Sequence, residues 1–373
     1  MAKITIGVDF RPALSRATGV GRYFEGLIGG LGRIDRENDY VLFSSSWKER
    51  PEARTRPENF RLVDRRVPVR VLNALWHRYE TPSLDWLAGA RLDVAHSPTP
   101  LLLPTRRGRT IITICDLFFL ERPEATSREI RRDYVNLVRS HVKRADAVLA
   151  ISETTARDVQ DKLDVPPERI TVIHAGLDSQ FSADAAPAMD VAREDYILTV
   201  ASLEPRKNLP KLLEAFALLR DRGFDGRLRI AGGAGLDTPR VDETIHRLGL
   251  EDSVEKLGYV DKEALVALYR AARVMVMPSL WEGFGLPLLE AMASQTPLVA
   301  SDIPVHREVA GNAALFAAPG DKRALADAIE RLWCDQELRA QLVARGLERK
   351  RLFSWDASAK KARALYERVA GKV

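Results

Sequence analysis

Cysteine is scarce in this 373-residue chain: Cys115 and Cys334 are the only two, far apart and in no ligand spacing. A disulfide framework is therefore excluded, and a reducing, cytoplasmic setting is the expectation. Long apolar runs are missing as well; none approaches the roughly 20 residues a membrane-spanning helix needs. The opening MAKITIGVDF alternates into a strand and lacks the basic segment and long apolar core of a signal peptide. There is no low-complexity tract, no short-period repeat, and no Asp-x-Asp pair of the kind that bridges a metal to a diphosphate. After the first strand, RPALSRATGVGRY is too long and wrongly spaced for the Gly-x-Gly-x-x-Gly turn of a dinucleotide-dependent oxidoreductase.

What is present is the composition of an ordinary globular protein, 46% hydrophobic and 29% charged, in a chain long enough for two domains. Net charge is +5, unevenly spread. Residues 48–70 hold eight Lys or Arg against four Asp or Glu, and residues 106–144 hold ten against five. Such stretches suit peripheral contact with an anionic membrane or a phosphate-bearing acceptor, or they are simply solvated helix and loop faces. No nucleic-acid recognition motif accompanies them, so nucleic acid is not an expected partner.

Short β-branched apolar runs alternate with helical patterns along the whole chain. Six fall in the first half, among them ITIGVDF, YVLFSS and TIITICD, and five in the second, among them YILTVAS, VMVMPSL and TPLVASD. Apolar strands separated by helices imply parallel sheets covered on both faces. The expected fold class is α/β with two doubly wound parallel-sheet domains. The segment SADAAPAMDVARED, rich in Ala, Asp and Pro without an apolar period, reads as the linker. That places a first domain over 1–187, a second over 188–354, and an amphipathic closing helix over 355–373.

Open parallel sheets bind ligands beyond the carboxyl ends of their strands, so the loops there carry the candidate chemistry. The first holds Gly19, Val20 and Gly21 before a helix expected to start near Arg22; the glycines would let backbone approach a phosphate or sugar, or form an ordinary connection. The second, LEPRKNLPKLLEAF, sets Arg206 and Lys207 side by side before a helix with Asn208 as its cap. Two fixed cations there suit a diphosphate. A third, after VEKLGYV, offers the Gly258, Tyr259 and Val260 backbone to a nucleobase edge. In the fourth, EGFGLPLLE, Glu282 and Glu290 bracket the uncharged turn Gly283, Phe284, Gly285 and Leu286, with Pro287 placed for the first helical position. Such a turn offers unpaired N–H groups to an anion, and a carboxylate inside it would repel that anion.

Taken together, GVGRY, CDLFFLERPE, AISETTARDV, HAGLD, ASLEPRKNLPKLLEAF, LGYV and PSLWEGFGLPLLEAMASQTPLVASDIPVHREVAG resemble family 4 of the retaining glycosyltransferases almost end to end. The resemblance implies two Rossmann-like domains facing across a cleft, the GT-B arrangement, with the first on the acceptor side, the second binding the nucleotide-sugar, and the closing helix returning to the first. It implies that Glu282 faces the donor sugar, that Glu290 binds the ribose hydroxyls, and that residues 284–286 approach sugar and phosphates. Gly19, Val20, Gly21, Ser202, Tyr259 and Gly283 complete the implied donor site, and Arg206 and Lys207 stabilise the leaving diphosphate. It favours attack from the leaving group's own face, the departing phosphate oxygen helping to remove the acceptor proton, with Asp116 assisting. Many relatives carry His-Asp where this chain has Cys115-Asp116, so a role that needs an imidazole there is weakened.

No metal and no cofactor are expected, the nucleotide-sugar being a substrate. The motifs look most like bacterial mannosyltransferases of surface polysaccharide assembly, implying GDP-mannose as donor and a saccharide or lipid-linked saccharide as acceptor, in the cytoplasm or at the inner face of the cell membrane. A UDP- or ADP-sugar donor is the alternative within the family, and a non-catalytic nucleotide- or saccharide-binding protein the alternative outside it. His96 stands at a strand end either facing the cleft or packed, Cys115 is either a small apolar residue or a nucleophile, and Trp355 is either a packing point of the closing helix or a platform for an acceptor.

Overall fold

The computed structural model describes residues 3–14, 18–45, 56–182 and 193–371. By packing, the chain divides into two units: Met1–Gly176 with Ser354–Val373, and Leu177–Phe353. The linker expected over 182–195 and the boundary near 188 lie mostly outside the described residues.

The first unit is a seven-stranded sheet of β1 (Thr5–Asp9), β2 (Asp39–Ser45), β3 (Phe60–Arg65), β4 (Val94–Ser97), β5 (Arg109–Ile114), β6 (Ala147–Ala150) and β7 (Ile170–Val172). Every pairing is parallel, in the order β3-β2-β1-β4-β5-β6-β7. The second unit has six parallel strands: β8 (Glu194–Val200), β9 (Arg227–Ala231), β10 (Val254–Gly258), β11 (Ala272–Met277), β12 (Leu298–Ser301) and β13 (Ala314–Ala317), ordered β10-β9-β8-β11-β12-β13. Seven and six strands stand where six and five were expected. The two additions, β3 and β10, are both edge strands, and their sequences FRLVDR and VEKLG mix charged with apolar residues because one side faces water. Central strands such as β6 and β12 are buried throughout and read as continuous apolar runs.

Helices cover the sheet faces and close the cores. Leu212, Phe216, Leu228, Val274 and Ile329 are fully buried in the second unit, each such side chain contributing about 1.5–3 kcal/mol. In the first unit the helix Gly19–Ile34 begins at Thr18, whose hydroxyl accepts from the Gly21 amide at 3.1 Å. Gly19, Val20 and Gly21 therefore form the first turn of the helix and not a loop before Arg22; the threonine cap, by satisfying an early amide, lets the helix start three residues sooner.

The closing helix Trp355–Val369 lies against Gly19–Ile34 and belongs to the first unit. Trp355 is buried, edge-on to Tyr23 at 5.6 Å between ring centres. A Cβ at Gly26 would collide with the Trp355 indole, so the close approach requires glycine there. Trp355 is thus a packing residue within its own unit.

Candidate active site

In each sheet the strand order reverses once, between β1 and β4 in the first unit and between β8 and β11 in the second. The loops leaving neighbouring strands diverge there and open a crevice at the carboxyl ends. In the second unit these are the loops after β8 and after β11, which carry the Arg206-Lys207 pair and the glutamate turn.

The loop after β8 ends in a single 3-10 turn, Pro205–Lys207, followed by the helix Leu209–Asp221. Asn208 occupies the cap position with φ 56°, yet its side chain makes no cap hydrogen bond; its amide donates to the Pro278 carbonyl at 3.1 Å. The Leu280 amide donates to the Arg206 carbonyl at 2.8 Å. These two bonds fasten the loops across the switch point. They bring Glu282 under both cations: Lys207 Nζ donates to Oε1 at 2.5 Å, Arg206 Nη1 to Oε2 at 2.9 Å, and Ser279 Oγ to Oε1 at 2.7 Å.

Glu282 and Lys207 are both buried, at 8% exposure each. Burial alone would push the Glu282 pKa up, but the charges of Lys207 and Arg206 and the hydrogen bonds from Lys207 and Ser279 outweigh it and bring it down to about 2. Glu282 is therefore ionised at neutral pH. Two cations and one carboxylate leave one net positive charge at the crevice, already held in position for an anion.

Glu290 has a different neighbourhood. It sits one turn into the helix Leu286–Ala293, is 2% exposed, and accepts from the Tyr269 hydroxyl at 2.9 Å. Leu286 is the first helical residue and Pro287 the second. Gly285 precedes them with φ 100°, a conformation only glycine adopts without strain. Phe284 is buried edge-on against Phe353 at 5.5 Å, which anchors the turn from below.

Other parts of this crevice hold residues that the sequence analysis does not single out. After β9, the run Gly232, Gly233, Ala234 and Gly235 packs on the β8 loop: a Cβ at Gly235 would stand 2.5 Å from the Leu203 carbonyl oxygen. Glycine repetition alone could have signalled it. Beyond β12, His306 is wholly buried with Nδ1 2.9 Å from the Ser301 carbonyl, and burial lowers its pKa to about 4. Ser279 and Tyr269 complete the set, and nothing local in the sequence marks them. Ser202 is half-buried beside the β8 loop, its carbonyl accepting from the Glu204 amide at 2.8 Å. At the end of β10, Gly258 has φ 68° and its carbonyl accepts from the Gly232 amide at 2.8 Å, while Tyr259, the next residue, is 61% exposed.

The remaining candidates lie in the first unit. Asp116 follows β5, half-buried, and accepts from the Phe118 amide at 3.0 Å. Cys115 is half-buried, and its carbonyl accepts from Thr155 Oγ1 at 3.1 Å. His96 is fully buried between Tyr366 Oη and Thr113 Oγ1, both at 2.8 Å, and burial lowers its pKa to about 3. It is a packed, neutral histidine. Among the described residues no group of three or more His, Cys, Asp or Glu is arranged to hold a metal ion, and no helix is long and apolar enough to cross a membrane.

Comparison with known proteins gives the family and the fold. Residues 17–181 match the family described as Glycosyltransferase Family 4, and residues 189–349 match Glycosyl transferases group 1. The O-antigen chain mannosyltransferase B of Escherichia coli is 31% identical over 70% of this chain and 71% of its own length. A D-inositol 3-phosphate glycosyltransferase of Salinispora tropica is 33% identical over 76% of this chain and 61% of its own. Among solved structures, the sucrose-phosphate synthase of Thermosynechococcus elongatus superposes with a TM-score of 0.82 over 100% of both chains at 21% identity, a likeness of fold.

Proposed function

The chain belongs to the glycosyltransferases, family 4 in its first half and group 1 in its second, and on that premise we propose that it is a retaining hexosyltransferase that moves mannose from GDP-mannose to a saccharide or lipid-linked saccharide acceptor. The observation that carries this is the pair Arg206 and Lys207, fixed on Glu282 at the switch point of the second sheet. The mannosyltransferase relative supports the choice of sugar.

In the proposed reaction the bond between the sugar's anomeric carbon and the diphosphate oxygen breaks, and its electron pair stays on that oxygen. The acceptor oxygen bonds to the same carbon from the same face, and its proton passes to the departing phosphate. Arg206 and Lys207 stabilise the charge gained by the leaving group without moving, because Glu282, itself held by Ser279, already orients them. Glu290 and the Gly258–Val260 backbone hold ribose and base, Asp116 assists on the acceptor side, and no metal takes part. The enzyme works in the cytoplasm, in peripheral contact with the anionic face of the membrane through its basic stretches.

A thermal-shift screen of GDP, UDP and ADP tests the donor. A nucleotide at a hundredfold excess over its Kd stabilises by about 2.7 kcal/mol. The expected result is a clear shift with GDP, followed by an α-configured product by NMR from the α-configured donor. A shift with UDP or ADP and none with GDP sinks the donor assignment, and no shift with any of them sinks the nucleotide-sugar assignment.

A further inference from the structure

At the carboxyl end of β1, one arginine gathers three elements of the first unit. Arg11 opens the 3-10 turn Arg11–Leu14 that leaves the strand, and its guanidinium clasps Asp9, the last strand residue: Nε donates to Oδ1 at 2.8 Å and Nη2 to Oδ2 at 2.7 Å. Its Cζ lies 4.6 Å from the centre of the buried Trp76 ring. Nη1 donates to Asn73 Oδ1 at 3.0 Å, and Asn73 Nδ2 donates in turn to Glu129 Oε1 at 2.9 Å. One turn further along, His77 Nδ1 lies 3.2 Å from Asp133 Oδ2. Asn73 and His77 are four residues apart on the helix Val69–Tyr79, and Glu129 and Asp133 four apart on the helix Arg128–Arg144. Residues so spaced share a helix face, so two rungs join the helices and hold Arg11, Asn73 and Glu129 in place.

The network has hydrogen-bonding capacity left over. A guanidinium carries five N–H groups, and Arg11 spends three side-chain N–H bonds on Asp9 and Asn73, leaving one N–H on each terminal nitrogen among the described residues. Glu129 is exposed and gives one oxygen to Asn73, which is itself half-buried. Donors and acceptors thus stand side by side, partly open to water, beside the point where the strand order of the sheet reverses. A sugar hydroxyl donates and accepts at once and satisfies both. The charges, by contrast, leave nothing over for an anion. Asp9 matches Arg11, and Asp133 takes Arg132 through bonds of 2.6 and 2.7 Å. Burial lowers the His77 pKa, so that ring is neutral at pH 7. Glu129 adds a carboxylate that only an amide meets within the network. Arg70, one turn before Asn73, is exposed and makes none of these bonds. Arg131 and Arg128 stand about 180° and about 120° round their helix from the midline of Glu129 and Asp133. A phosphate seated beside Arg11 would meet Asp9 and Glu129, a like-charge cost that an uncharged ligand escapes. The crevice of the second unit is the opposite case, with two cations on one carboxylate.

We propose that Arg11, Asn73 and Glu129 bind hydroxyl groups of the acceptor's terminal sugar and select an uncharged saccharide over a phosphorylated one. This deepens the acceptor assignment made above and rests on it.

The test is transfer by the full chain to octyl glycosides of mannose, glucose, galactose and N-acetylglucosamine, each supplied with and without a 6-phosphate. The donor is the sugar conjugate of whichever nucleotide shifts thermal unfolding. At least one uncharged glycoside is expected to be used, with kcat/KM about tenfold or more above that of its 6-phosphate, the scale of one unfavourable charge contact. Asn73→Ala and Arg11→Lys should each raise the acceptor KM by about tenfold to a hundredfold, as loss of a hydrogen bond to a charged or fixed group does, with donor KM and the nucleotide's thermal shift unchanged. Glu129→Lys should narrow the preference for the uncharged form by about tenfold, because it reverses one charge beside the ligand. A purely structural network would instead lose use of both forms alike. Use of a phosphorylated glycoside equal to or better than its parent, transfer to no uncharged glycoside, an unchanged acceptor KM in both Asn73→Ala and Arg11→Lys, or equal losses on both forms in Glu129→Lys would each overturn the assignment. Any of these results beside an intact nucleotide shift leaves the nucleotide-sugar reading standing, whereas absence of that shift in wild type strikes the reading itself.

Discussion

Glu282 is the residue on which the candidate site turns, and its surroundings define what it can do. A buried carboxylate beneath a lysine and an arginine cannot serve as a base near neutral pH, since its pKa lies at about 2. It orients the two cations and presents one net positive charge. Arg206→Ala or Lys207→Ala is therefore expected to lower transfer by about a hundredfold or more. Near-normal turnover in both variants would remove their role, and full transfer in excess chelator is expected alongside, since the cations act where a metal otherwise would. The two glutamates should separate. Glu282→Gln is expected to depress kcat while nucleoside diphosphate affinity holds or rises, because the cations keep their charges but lose the carboxylate that fixes them in place. Glu290→Gln should instead raise the donor KM and weaken the nucleoside diphosphate, as loss of uniform binding does. Equal loss of nucleotide affinity with unchanged kcat in both would contradict the division.

At the scale of elements, the turn between β11 and its helix depends on one backbone conformation. Gly285 has φ 100° as the residue preceding Leu286–Ala293, whereas Gly19 sits in a helical first turn with open space where a Cβ would go. Gly285→Ala is expected to destabilise the second unit by about 1–2 kcal/mol, and Gly19→Ala to leave stability unchanged or slightly raised. Urea unfolding of the two variants checks this; equal stability would mean that the turn relaxes freely. The same scale shows where sequence patterns carry and where they fail. Every central strand was legible, because a strand buried on both faces must be apolar throughout. Edge strands β3 and β10 were not, since Arg61, Asp64, Glu255 and Lys256 obey no such demand. The glycine turn after the first strand was legible as a glycine turn, but its place inside the helix depended on the Thr18 cap.

Over the whole molecule, acid stability should fall in two stages set by burial. His96, His141 and His306 are buried, and burial lowers their pKa values to about 3, 4 and 4, the Arg144 charge adding to the effect at His141. Each stays neutral in the folded chain and takes up a proton on unfolding, so stability is lost as pH falls below the ordinary histidine value of about 6.5, at up to about 1.4 kcal/mol per pH unit for each. Glu282 is lowered in the fold, so its stabilisation is complete above the ordinary glutamate value near 4.5 and is lost only as pH falls toward 2. Unfolding followed from pH 7 to 3 should therefore weaken first through the histidines; His306→Asn should flatten the upper stage, and Glu282→Gln only the lower. An unchanged upper slope in His306→Asn would show that this histidine titrates alike in the folded and unfolded chain. By itself the sequence determined the class of fold, the family, the paired cations and the bracketed glycine turn, because periodicity, glycine and charge at a loop are local properties that survive in a one-dimensional string. Only the tertiary structure decided that Glu282 is the counter-ion of Arg206 and Lys207, that Glu290 turns to Tyr269, and that Trp355 fills the space two helices leave at Gly26. Those outcomes rest on partners about 20 to more than 300 positions away, and such partners are chosen by strand order and packing, which no short window of sequence contains.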